Sequence, residues 1–264
     1  MISYYKKEFL TDENMPINDN LFRGLGVFET IKFTNQKMIF FDEHMDRLFS
    51  NNIFFNFEKI TKNKIHDIAI QTIKKNNLSD GLLKIIIIPK DEDFNDVEFY
   101  IFIRKLPQIN TASVKIKFYL ESSYPILRFK PAFKSLFYMG NMLAIKDAKN
   151  EGIFEPIFYN DNSIITEGAI RNIFFIKNGT IYTPNLNLGI LEGVTRIKVL
   201  ELGKKLNYKI SESMISYDDI NKMDEAFITS TAIGVLPCYW DGWNSNHSIT
   251  LNLKKHYNQM IKIQ

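Results

Sequence analysis

The chain has 264 residues, 45% of them hydrophobic and 14% aromatic, and its 33 basic side chains nearly balance 30 acidic ones for a net charge of +3. With bases dispersed among acids there is no stripe for nucleic acid, and the single cysteine, Cys238, excludes an internal disulfide and a cysteine-based zinc site. No apolar run reaches bilayer length and Met1 to Glu8 lack a signal-peptide core, so a cytoplasmic globular protein is expected, long enough to bury about three quarters of its surface.

Residues 26–33, rich in Val, Phe, Ile and Thr, predict a strand that turns at Asn35-Gln36 into a second strand over 38–41. Asp42 is the expected N-cap of a helix whose Met45, Leu48 and Phe49 share one face. Ile65, Ile68, Ala69, Thr72 and Ile73 recur at helical spacing and place a second helix over 61–76. Apolar strands follow at 83–88 and 97–104, separated by a polar loop with Pro89 and Asp91-Glu92-Asp93. Pro107-Gln108-Ile109-Asn110-Thr111 reads as a linker. Beyond it come a strand at 114–120, an irregular aromatic stretch at 124–130, a helix at 139–150, and strands with tight turns over 154–183, Lys177-Asn178-Gly179 forming a hairpin turn. A helix at 194–206, a strand at 209–213, a short helix at 218–222, a strand at 226–230 and a terminal helix at 251–263 complete the chain. The expected organisation is a small N-terminal α/β domain over 1–106, a linker over 107–112 and a larger mixed α+β domain over 113–264.

Three stretches carry chemistry. Phe133-Lys134-Ser135-Leu136-Phe137-Tyr138 sets a lysine among apolar residues at a helix entrance. Ile164 to Phe175 is strand-like and carries one carboxylate, Glu167. Gly189-Ile190-Leu191-Glu192-Gly193-Val194-Thr195-Arg196 is a glycine-punctuated loop that runs straight into a helix. An amine, a carboxylate and a helix N-terminus each cost free energy if buried unpaired. Pyridoxal 5′-phosphate would answer all three, with its aldehyde, its protonated ring nitrogen and its phosphate. Each also has a plainer local reading: a lysine snorkelling to water, an exposed turn glutamate, a threonine cap.

These stretches resemble the class IV aminotransferases, the fold-type-IV pyridoxal phosphate family that includes branched-chain and D-amino-acid aminotransferases and 4-amino-4-deoxychorismate lyase. Gly24-Leu25-Gly26-Val27-Phe28-Glu29-Thr30-Ile31 and Glu43-His44-Met45-Asp46-Arg47-Leu48 resemble two further family motifs. Asp224-Glu225-Ala226-Phe227-Ile228-Thr229-Ser230-Thr231, followed by Pro237, resembles another. The resemblance implies a two-domain fold-type-IV homodimer acting on a small-molecule amine. It implies Lys134 as the lysine that carries the cofactor and moves protons, Tyr138 as the partner of the cofactor's phenolic oxygen, and Glu167 as the partner of its ring nitrogen. Gly193, Val194 and Thr195 would cradle the phosphate, with Arg47 as a second phosphate ligand whose plainer role is an ion pair with Glu43. Leu191 would pack on the ring, Ser230 and Thr231 would form a turn touching phosphate and substrate, and Phe28 and Ala232 would line the substrate. Arg171 is expected either as a clamp for an anionic substrate or as an outward surface charge.

The chain departs from the family where Phe137 replaces an asparagine often found before the tyrosine. It also has Phe28 and Pro89-Lys90 where D-amino-acid aminotransferases carry a tyrosine and an arginine. Compact length and Ala232-Ile233-Gly234-Val235-Leu236-Pro237 favour the lyase, which gives 4-aminobenzoate and pyruvate. Thr231-Ala232 keeps open an aminotransferase of branched-chain or other amino acids with 2-oxoglutarate, and a protein that binds the cofactor without turnover is the third reading. Gly24-Leu25-Gly26 lacks the third glycine of a dinucleotide site. His44, His66, His247 and His256 lack metal-ligand spacing, so no metal is expected, and Cys238 reads as a core residue.

Overall fold

Two strands that the sequence leaves unmarked begin the chain: Ile2–Tyr5 (β1) pairs antiparallel with Glu8–Thr11 (β2). The computed structural model describes residues 1–5, 8–11, 19–50, 57, 60–90, 94–130 and 132–263. They divide into two units, Met1–Gln108 with Phe133–Phe137, and Ile109–Ala132 with Tyr138–Gln264. No helix among the described residues is long and apolar enough to cross a membrane.

In the first unit a short helix, Asp19–Phe22 (α1), precedes Val27–Thr34 (β3). Val27, Glu29, Ile31 and Phe33 all face inward, the period of two expected of a strand with one buried face. Asn35 and Gln36, at φ 49° and 62°, turn the chain into Lys37–Met38 (β4), as tight hairpins require. The helix Phe41–Phe49 (α2) starts earlier than Asp42 suggests: its N-cap is Phe40, in left-handed conformation and without a side-chain cap. Lys62–Lys75 (α3) is capped by Thr61, whose hydroxyl accepts from the Lys64 amide at 3.2 Å. Gly81–Pro89 (β5) and Val97–Arg104 (β6) complete an antiparallel sheet in the order β2-β1-β6-β5-β3-β4. Its inner face and the Met45, Leu48, Ile65 and Ile73 side chains of α2 and α3 form one core. The acidic loop Asp91-Glu92-Asp93 lies outside the described residues.

The second unit is built on an eight-stranded mixed sheet, β12-β11-β10-β13-β14-β7-β8-β9. Its elements are Val114–Leu120 (β7), Met139–Asn150 (α4), Glu155–Tyr159 (β8), Ile165–Gly168 (β9), Asn172–Lys177 (β10), Thr180–Pro184 (β11), Val194–Lys205 (α5), Lys209–Ser213 (β12), Glu225–Ser230 (β13), Gly234–Tyr239 (β14) and Ser248–Ile263 (α6). Asn178 and Gly179, at φ 48° and 73°, make the hairpin turn between β10 and β11. The short helix expected at 218–222 is a 3-10 turn over Tyr217–Lys222. Helix α6 begins at Ser248 because Glu225, on β13, reaches it from far along the chain. The Glu225 carboxylate accepts from the Ile249 and Thr250 amides, both at 2.8 Å, so a strand residue serves as the cap.

Candidate active site

Gly26 sets the local geometry in the first unit. At φ +145° a Cβ would meet the Ile87 carbonyl oxygen at 2.5 Å, so the position needs glycine. The segment carrying Lys134 lies along the start of β3: the Leu136 amide donates to the Gly26 carbonyl at 3.0 Å and the Phe28 amide to the Lys134 carbonyl at 2.9 Å. Lys134 Nζ then lies 4.4 Å from the Phe28 ring centroid. Lys84, from β5, brings a second amine to 4.4 Å from the same centroid. Burial holds the Lys84 amine below the usual lysine range, and the charged groups that act on it, Lys134 and Arg104, are both cations.

Arg47, on α2, is oriented by Glu29. Its Nε and Nη2 donate to the two carboxylate oxygens at 2.7 and 2.8 Å, and the Glu29 side chain is only 1% exposed. His44 Nδ1 lies 2.7 Å from the same carboxylate. Burial pushes the Glu29 carboxyl up, but the charge of Arg47 together with the hydrogen bonds from His44 and Arg47 outweighs it and brings the value down to about 2. Burial lowers His44 despite Glu29, so the neutral ring donates from Nδ1 to an ionised acceptor. Glu29 and His44 stand inside the sequence motifs but drew no role there. The signal was a carboxylate in phase with Val27, Ile31 and Phe33 on the inward face.

In the second unit Glu167, on β9, is held from several sides. The Leu191 amide donates to both of its oxygens at 3.2 Å, Asn172 Nδ2 donates at 3.3 Å, and Arg128 Nη1 forms an ion pair with it. Asn172 also donates to the Leu191 carbonyl at 2.8 Å, tying the carboxylate to the loop that enters α5. Gly193 is the N-cap of α5 and has no side chain to cap it; a Cβ there would stand 2.2 Å from Asn172 Oδ1. Val194 and Thr195 are buried in the first turn, and the Tyr257 hydroxyl donates to Thr195 Oγ1 at 3.4 Å. Ser230, Thr231 and Ala232 lead into the β13–β14 turn, closed by the Ile233 amide on the Ser230 carbonyl at 3.2 Å. Thr229, paired in register with Asn172, keeps a buried hydroxyl with no hydrogen-bond partner. Tyr138 is the N-cap residue of α4.

Arg171 is turned inward rather than outward. Its guanidinium pairs with the fully buried Glu155 and lies 4.5 Å from the Phe154 ring centroid, and its Nε is buried without a partner. A guanidinium committed to a buried carboxylate has little left for a substrate anion, so the clamp reading loses its basis and the surface reading does too.

The residues present fit pyridoxal phosphate. A helix start with no side-chain cap, entered through a glycine whose Cβ would press on Asn172, and a buried hydroxyl without a hydrogen-bond partner on the adjoining strand suit a phosphate. Glu167 suits a ring N–H, and Lys134 with Arg47 supplies the amine and a guanidinium in the first unit. Gly193→Ala is therefore expected to weaken cofactor affinity by about 10-fold or more while melting shifts little, because Asn172 must give way; equilibrium dialysis against pyridoxal phosphate measures it.

Such donors are those expected of an enzyme that works on amines through a pyridine aldehyde. The chain belongs to the class IV aminotransferases: residues 26–239 match the amino-transferase class IV family, whose members use pyridoxal phosphate. It is similar to a protein assigned as a branched-chain-amino-acid aminotransferase in Methanocaldococcus jannaschii, 27% identical over 89% of this chain and 86% of that one. It is also similar to the aminodeoxychorismate lyase of Bacillus subtilis, 25% identical over 84% of this chain and 79% of that one. The crystal structure of a branched-chain aminotransferase from Thermoproteus uzoniensis has the same fold, with a TM-score of 0.88 at 22% identity over 99% of this chain and 94% of that one.

Proposed function

We propose that the chain is a 4-amino-4-deoxychorismate lyase, releasing pyruvate and leaving 4-aminobenzoate. The observation that carries this reading is Lys84, a second amine on the ring that also carries Lys134, with cations as the charged groups acting on it among the described residues. A half-buried cation costs free energy until an anion reaches it. A flat carbocycle bearing a carboxylate can lie on Phe28 and give that carboxylate to Lys84, whereas a branched aliphatic side chain offers nothing to it.

In this reading Lys134 binds the cofactor and then carries a proton at the carbon attached to the substrate nitrogen. Glu167, steadied by Asn172 and the Leu191 amide, accepts from the ring N–H. The first amides of α5 and Thr195 hold the phosphate, and Arg47, aimed by Glu29, adds a guanidinium. Pyridoxal phosphate supplies the electron sink for the carbon whose bond is broken. By taking that proton Lys134 lets the neighbouring C–O bond break, so that pyruvate departs as its enol and the carbocycle becomes aromatic.

An aminotransferase is the second reading, favoured by Thr231-Ala232 and by the branched-chain relative; there Lys84 would take the distal carboxylate of 2-oxoglutarate. Incubation of holoenzyme with aminodeoxychorismate and no keto acid decides between them. Equal yields of pyruvate and 4-aminobenzoate are expected, whereas keto acid formed from amino acids only when 2-oxoglutarate is added would overturn the lyase. Lys84→Met is expected to lower kcat/KM for aminodeoxychorismate about 10- to 100-fold, mainly through KM, the value of one hydrogen bond to a charged group. Initial rates across substrate concentration check it.

A further inference from the structure

Arg128 lies in an irregular stretch with no periodicity to single it out, yet it is built into the setting of Glu167. Its Nε and Nη2 fork onto the Glu121 carboxylate at 2.9 and 2.6 Å, Nη2 also reaches Thr166 Oγ1 at 3.2 Å, and Nη1 is left for Glu167. Thr166 closes the group by donating to Glu121 at 2.8 Å. A planar guanidinium forked in this way cannot swing towards Glu167 without breaking its hold on Glu121. Two carboxylates thus share one guanidinium. The side chains are 17% exposed for Arg128, 14% for Glu121 and 13% for Glu167, so water screens the sharing only weakly. Glu155 on β8, itself paired with Arg171, is a further charged group that interacts with Glu167. Leu191 and Asn172 contribute neutral donors that fix orientation.

We propose that Arg128, anchored by Glu121, is a positioning residue that sets how much negative charge Glu167 presents to the ring nitrogen of the cofactor. This rests on the reading of Glu167 as the partner of that nitrogen. The arrangement acts as a lever with two ends. Removing the guanidinium returns the full charge to Glu167, and the ring nitrogen keeps its proton to higher pH. Removing the charge of Glu121 lets Arg128 lean wholly on Glu167, and the proton is lost at lower pH. Packing damage alone has no reason to move the two variants in opposite directions.

The test uses holoenzyme carrying pyridoxal phosphate labelled with nitrogen-15 in the ring, whose chemical shift is followed against pH. Arg128→Met is expected to raise the deprotonation midpoint by about one unit, and Glu121→Gln to lower it by about half a unit or more. Arg128→Lys, which keeps the charge, should stay closer to the wild type than Arg128→Met. Midpoints that do not move, or that move in the same direction, overturn the proposal. Should Arg128→Met fail to fold by circular dichroism, the sign of the Glu121→Gln shift alone decides. Wild-type protein that takes up no cofactor removes the reading of the site and this proposal together; bound cofactor with an unmoved midpoint removes only the role of Arg128.

Discussion

Lys134→Ala is expected to bind pyridoxal phosphate without a covalent link, to show no borohydride-fixed label and to lose about 10⁴-fold or more in turnover. Two losses combine in that figure: the covalent anchor and a positioned proton carrier, the latter alone giving about 10²- to 10⁴-fold. The fold should survive, because the backbone of Lys134 is tied to β3 through the Phe28 amide and Leu136 to the Gly26 carbonyl. The side chain itself adds a contact with Phe28 that contributes about 0.5–1 kcal/mol. Lys84→Ala is the matching control, since it should still be trapped by borohydride at Lys134. A Lys134→Ala enzyme with wild-type rates would reject the assignment outright.

Glu29→Gln should have the largest effect on stability. The substitution keeps the shape but takes the Glu29 charge away from Arg47 and puts beside it a carboxamide that can accept less, and breaking a buried pair in this way costs about 3–5 kcal/mol. Thermal melting should fall by on the order of 10 °C, and affinity for pyridoxal phosphate should weaken because the aim of Arg47 is lost. The pH dependence follows from the two shifts. The Glu29 carboxyl goes from about 4.5 down to about 2 on folding, so its contribution is fully present above the higher value and disappears as pH falls towards the lower. His44 is also lowered, so the unfolded chain takes up its proton first and stability begins to decline below about 6.5. Denaturant melts of wild type from pH 7 to pH 3 should show both declines, and Glu29→Gln should lack the more acidic one. Identical pH profiles for the two proteins would refute the assignment of the buried pair.

Much of the architecture was legible because local signals and tertiary needs agree. The apolar period over Ile65–Ile73 and the run Val114–Leu120 correspond to α3 and β7, and Asn178-Gly179 supplies the positive φ values its hairpin needs. Where they disagree the sequence misleads. Asp42 is a better capping residue than Phe40, but the cap stands two residues earlier, at the left-handed Phe40. The start of α6 depends on Glu225, a contact between residues far apart in the chain. The site divides in the same manner. Lys134, Glu167, Gly193 and Thr195 are singled out by the resemblance of their stretches to family motifs, since their local settings alone admit plainer roles. Lys84, Arg128, Glu121 and Asn172 are not, because their roles are set by which charge or backbone group stands opposite, and spacing carries no record of that. Arg171 misled because alternation along a strand cannot tell an open face from one that conceals Glu155.

The five residues Phe133–Phe137 belong with the first unit although the chain on either side belongs to the second. The polypeptide therefore passes from one unit to the other three times rather than once. Cutting the gene after Gln108 would not liberate an independent fragment: it would strip β3 of the partner that occupies its Gly26 carbonyl and Phe28 amide, exposing a bare strand margin prone to self-association. Any attempt to trade one half of this molecule for that of a relative has to carry the lysine-bearing splint along with the N-terminal half, which means splicing the chain at three points.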